Sequence, residues 1–208
     1  MGHRALVAYE RPDETYNLHY SHWGGCNLRL KHDLTKRTPL GGDEEHHPWT
    51  TAVYEHYQTA EATDLPDIEN AERPSTAVEP EPWAVGLTIE EIITEYLDYL
   101  MHEAFYVVPQ SFEVTAYRTL WPGFSSQAES VENSPSIGHG VLMTVRWHDG
   151  QPVGDGYLRG WFGGMKRILG EFIDRGVFTE TQATSYLLEE VIARYRHQDE
   201  YYVKRQNR

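Results

Sequence analysis

Tyr16, Leu18 and Tyr20 alternate with Asn17, His19 and Ser21. In an extended chain the two sets fall on opposite faces. The run before them, from Arg4 to Glu10, is β-rich, and Arg11-Pro-Asp-Glu14 has turn chemistry, so residues 4–25 predict a β-hairpin. Leu28 and Leu30 alternate with Asn27, Arg29 and Lys31, which predicts a third strand over 26–32 after a Gly24-Gly25 turn. Thr88 and Glu91 form a capping box, and an apolar stripe from Ile89 through Ile92, Ile93, Leu97 and Leu100 to Ala104 predicts one long helix lying across the sheet. Phe112, Val114 and Ala116 mark another strand; residues 140–147 and the run from Val153, joined by Asp149-Gly150, mark a second hairpin. Met165, Ile168, Leu169, Phe172 and Ile173 predict a helix stopped by Gly176. A second capping box, Thr179 to Gln182, opens a last helix expected to reach about Val203.

The order predicts an α+β fold: an antiparallel sheet of five to six strands, built on two hairpins, with two or three helices on one face. At 208 residues the chain fits a single domain. Residues 35–82 read as an exposed acidic insertion, with a short helix expected over 48–62 from Pro48 or Thr50, and with 63–82, rich in Pro, Glu, Asp and Thr, the most exposed part.

Charge sharpens that division. Of the net −14, residues 43–103 contribute sixteen Asp/Glu against the single Arg73, while 1–42 and 157–208 are each +2. Such a surface repels free nucleic acid and anionic membranes. Only four of the eighteen cations are lysines, and an acid-rich, lysine-poor chain suits concentrated salt, where the Debye length is only ~3 Å at 1 M. One cysteine excludes an intramolecular disulfide framework, and no run of ~18 apolar residues is present to span a membrane. The expected setting is the cytoplasm, with no secretion signal.

Chemistry concentrates on the hairpin. His19, His22, Cys26 and His32 have spacing near that of zinc sites, but His19 and His22 are an odd number apart and point to opposite faces of a regular strand, so no metal and no cofactor is expected. Ser21 lacks a nucleophile-elbow context. Arg4, His19, Ser21, His22 and Arg29 are the ligand-binding candidates on or beside the hairpin's polar face. Gly163 and Gly164, in a glycine-rich run taken to open a helix that carries Lys166, are candidates for anion binding through free backbone N–H groups. Tyrosine and tryptophan beside loops, Trp83 and Trp121 among them, suit protein interfaces.

The opening Met-Gly-His-Arg-Ala-Leu-Val-Ala-Tyr-Glu-Arg-Pro-Asp, with Tyr-Asn-Leu-His-Tyr-Ser-His-Trp-Gly after it, resembles a family of uncharacterised proteins from haloarchaea, most strongly over residues 1–34. The resemblance implies no activity and no site residues. Two functions stand against each other: a small intracellular binding or accessory protein for an unknown small-molecule or protein partner, with homo-oligomerisation open, and a hydrolase using histidine as acid or base at the hairpin face. A deep pocket where two or more of Arg4, Glu10, His19 and His22 converge would favour the enzyme.

Overall fold

A computed structural model describes residues 2–68, 72–195 and 201–203. It divides into two compact units, residues 1–97 with 102–118, and residues 98–101 with 119–208.

The first unit is built on the predicted hairpin, β1 (Ala5–Glu10) and β2 (Tyr16–Ser21), in register from Ala5↔Ser21 to Glu10↔Tyr16. Glu14, at φ 65°, closes its turn. On the other side of β1 lies β4 (Ala104–Val108), and the pair is parallel. The sheet is therefore mixed, not antiparallel throughout. The run Ala5-Leu-Val-Ala8 is apolar at every position and buried on both faces, the pattern of a central strand in parallel pairing. Strands β3 (Ala84–Leu87) and β5 (Thr115–Leu120) extend the order to β3-β2-β1-β4-β5.

Two predicted elements are replaced. Residues 26–32 are not a strand: a 3-10 turn over Cys26–Leu28 leads into α1 (Leu30–Asp33). Asn27 and Leu28 have positive φ, and Leu28, Leu30 and Leu34 are buried together. Five residues cannot separate a period of 2 from a turn that buries every second residue. The long helix over 89–104 is also absent. The capping box is intact, with Glu91 N–H donating to Thr88 Oγ1 and the Glu91 carboxylate accepting from Thr88 N–H, but α3 (Ile89–Glu91) passes into a π turn and stops at Leu97. From Ala104 the chain is needed as β4, whose Ala-Phe-Tyr-Val-Val sequence favours strand.

The stretch read as an insertion holds α2 (Pro48–Tyr57), and residues 77–83 run along the edge of β2: Glu79 N–H donates to Tyr20 O (2.8 Å) and Trp83 N–H to Leu18 O (2.7 Å).

The second unit contains β6 (Val141–Thr144) and the hairpin β7 (Arg146–His148) and β8 (Gln151–Val153). Asp149 and Gly150 both have positive φ, as a type I′ turn requires. Helix α4 (Asp155–Asp174) ends at Gly176, φ 70°. Helix α5 (Glu180–Tyr195) follows its capping box; it does not reach Val203, because Tyr201–Val203 form β9, paired with β6. Leu120, Phe124, Val141, Phe162, Leu169, Leu187 and Val191 lie in the core of this unit.

Candidate functional site

The polar face of β2 is buried, not wet. Asn17, His19 and Ser21 share a face with Ala5, Val7 and Tyr9, and all are inaccessible, His19 at 2 % exposure. Each polar side chain on or beside this face reaches a backbone carbonyl of residues 39–60 or 77–79. Tyr9 Oη donates to Pro39 O (2.7 Å) and Asn17 Nδ2 to Tyr57 O (2.6 Å). Arg11 Nη1 donates to Ala60 O (2.7 Å), Ser21 Oγ to Ala77 O (2.6 Å) and His19 Nδ1 to Glu79 O (2.9 Å). Buried carbonyls in loops and at a helix end must be satisfied, and the hairpin supplies the donors.

Burial disfavours the imidazolium and brings His19 down to about 4, although its bond to Glu79 O pulls the other way. The ring is held edge-on between Tyr9 and Tyr57, at 5.1 and 5.8 Å. A cavity of about 10 Å³ remains between Tyr9, Asn17, His19, Leu40, Tyr54, Tyr57 and Gln58, room for a single water at most. Gln58 Nε2 is buried nearby with no partner.

The other predicted residues do not join His19. His22 is exposed beyond the end of β2. Arg29 is exposed, 3.7 Å from Asp33. Arg4 is half-buried, its carbonyl accepting from Glu103 N–H, and Glu10 Oε2 accepts from Gln110 N–H. In the second unit Gly163 and Gly164 lie in the middle of α4, whose backbone N–H groups are spent within the helix, not at its start. Lys166 is 6 % exposed; its Nζ donates to Trp121 O (3.0 Å) and sits 4.1 Å from the Trp121 ring. With no solvent around it the ammonium is destabilised, and Lys166 is brought down to about 8. Among the described residues no three His, Cys, Asp or Glu are grouped to hold a metal ion.

A second arrangement on the first unit is exposed. Trp23 is 50 % exposed, with the His22 ring edge-on to it at 4.9 Å and His3 at 6.1 Å. His22 contacts Tyr20, and Tyr20 stacks on Trp83 at 5.2 Å and 9°. Trp83 is itself 47 % exposed and contacts His102. The band is therefore continuous from His3 to Trp83. Its Trp23 end is fixed from below. Tyr106 Oη donates to Gly24 O (2.6 Å). Arg118, 1 % exposed, donates through Nη1 to Gly25 O (3.3 Å) and Glu103 O (2.8 Å). The Glu103 carboxylate in turn accepts from His3 Nδ1 at 2.9 Å. A Cβ at Gly25 would meet Glu103 Cβ at 2.9 Å and His3 O at 3.0 Å, so only glycine lets the chain pass here.

The sequence matches the family of unknown function DUF6735 over residues 1–203. The chain belongs to DUF6735. The family spans both units, far beyond the opening 34 residues. No curated protein and no solved structure matches this DUF6735 chain. Among its described residues no helix is long and apolar enough to cross a membrane.

Within this DUF6735 fold, Trp83, Tyr20, His3 and the Glu103–Arg118 support come together only in three dimensions. They are separated by up to about a hundred residues and carry no shared spacing. The signal that was available is the pair of aromatic residues, Trp23 and Trp83, placed beside glycine and proline.

Proposed function

We propose that this protein works by binding a partner, and that the His3–Trp23–His22–Tyr20–Trp83 band is its contact surface. The observation that carries this reading is Trp23: half-exposed, yet mounted on a turn anchored by two buried side chains, Tyr106 and Arg118. Isolated surface aromatics are ordinary; a continuous band on a rigid support is suited to recognition, because little side-chain freedom is lost on contact. The hydrolase reading has less support. His19 is enclosed beside a cavity of about 10 Å³ while His22 lies exposed, so the two histidines share no pocket.

The test compares native purification of the wild type with Trp23→Ala/Trp83→Ala. A defined molecule held by the wild type and lost from a variant with unchanged circular dichroism supports the reading; equal retention by both ends it.

The acidic, lysine-poor composition supports a salt-adapted protein of the cytoplasm, and with the opening residues it supports a haloarchaeal source. Unfolding followed against KCl tests the adaptation: stability should rise through ~1 M, and a flat or falling curve rejects it.

A further inference from the structure

We infer that the partner presented to this band is cationic: an arginine- or lysine-bearing segment of another protein. The inference rests on the binding reading above and goes further by assigning the partner's chemistry.

Three observations converge on it. The first is what the band offers. Trp23 and Trp83 expose about half their surface, and the face of an indole attracts a guanidinium or ammonium placed over it. Tyr20 backs Trp83 in a near-parallel stack, which leaves that indole fixed in orientation.

The second is charge. Residues 74–117 contain no Lys or Arg. Those residues supply Trp83, the exposed Glu79 and Glu81 before it, and Glu103 beside His3. Two arginines at the edges of the band are already engaged: Arg73 has Glu81 at 3.5 Å, and the buried Arg118 has the Glu103 carboxylate at 3.8 Å. A stretch with eight Asp/Glu and no Lys or Arg that carries an exposed indole complements a basic segment and repels phosphates and acidic peptides.

The third is that the chain already uses this mode on itself. Arg73 places its guanidinium 5.3 Å from the Trp49 ring while reaching the Glu81 carboxylate. One arginine thus satisfies an indole face and a glutamate at once. Trp83 brings the same two ingredients, an exposed indole and the exposed Glu79 and Glu81 just before it, on a stretch that has no Lys or Arg of its own.

The experiment titrates the full chain with a nonaarginine peptide, an oligoglutamate of equal length and the neutral oligosaccharide cellohexaose. Binding is read by tryptophan fluorescence and calorimetry, in low salt and in 1 M KCl. The variants are Trp23→Ala/Trp83→Ala and Glu79→Gln/Glu81→Gln, each checked by circular dichroism. Nonaarginine should bind, more weakly in KCl, with affinity reduced about fivefold or more in the tryptophan variant and reduced also in the glutamine variant. Nonaarginine binding that is equal in the wild type and the tryptophan variant overturns the inference, because the acidic surface alone would then hold the peptide. If cellohexaose or oligoglutamate binds, is lost in the tryptophan variant, and nonaarginine is not bound, the contact surface stands and the cationic assignment falls. If none of the three binds, the cationic assignment falls, and native purification separately decides the contact surface.

Discussion

His19 Nδ1 donates to the carbonyl of Glu79 at 2.9 Å, across sixty residues of chain. That bond ties the covering segment to β2 from inside the fold, and it makes His19 a structural donor whose neutral form the protein selects. A carbonyl partner assigns the proton to Nδ1.

Stability should follow the proton on His19. Its pKa lies near 4 in the fold and near ~6.5 in the unfolded chain. Between these values the unfolded state binds more protons, so the contribution is complete above pH ~6.5 and is lost as pH falls towards 4. The full change is on the order of 3 kcal/mol. In urea denaturation, the stability gap between wild type and His19→Gln should narrow as pH drops from 7 to 4.5. A gap independent of pH contradicts this.

Arg118 holds the turn under Trp23 by hydrogen bonds to Gly25 O and Glu103 O. Arg118→Leu leaves buried carbonyls without donors and should cost about 3 kcal/mol. Guanidinium denaturation measures the loss, and Trp23 fluorescence should shift as the turn loosens. A stability within 0.5 kcal/mol of wild type, about the range of a neutral surface change, would remove Arg118 from this role.

Gly160 and Gly164 are exposed within α4, and a Cβ at either meets nothing within 4 Å. Gly160→Ala and Gly164→Ala should each stabilise the protein by about 1 kcal/mol, through helix propensity alone. Gly170 differs: its Cβ would stand 2.3 Å from Gln127 O, so Gly170→Ala should destabilise. Thermal melts of the three variants should move in opposite directions, two up and one down.

Lys166 titrates near 8 in the fold against ~10.4 unfolded. Below pH 8 both states carry the proton and the burial penalty is constant. From 8 to 10.4 the unfolded state holds more protons, so the fold gains stability as pH rises. Relative to Lys166→Met, the wild type should therefore improve by on the order of 3 kcal/mol over that interval, as read by urea denaturation at pH 7.5 and 10. No relative gain would show that the ammonium is solvated.

The first hairpin, both capping boxes, the Asp149-Gly150 turn and the Gly176 stop were legible because each is a local rule with a local cause. An unbroken apolar strand, Ala5 to Ala8, also carried the signal of a central position, although the alternation in β2 drew the eye to a two-stranded, half-wet hairpin. The candidate site was legible only in part: His22 and Trp23 lie in the reactive stretch, but Trp83, Glu103 and Arg118 join it from distant chain.

By itself, then, the sequence determined the places where the backbone must turn, cap or extend, since those depend on φ, on short-range hydrogen bonds and on side-chain period. Tertiary structure alone decided which face of β2 is dry. The donors on Asn17, His19 and Ser21 read as a wet surface until the carbonyls of Tyr57, Glu79 and Ala77 come down on them. Periodicity distinguishes polar from apolar, but it cannot distinguish a polar group hydrated by water from one satisfied by the protein's own backbone.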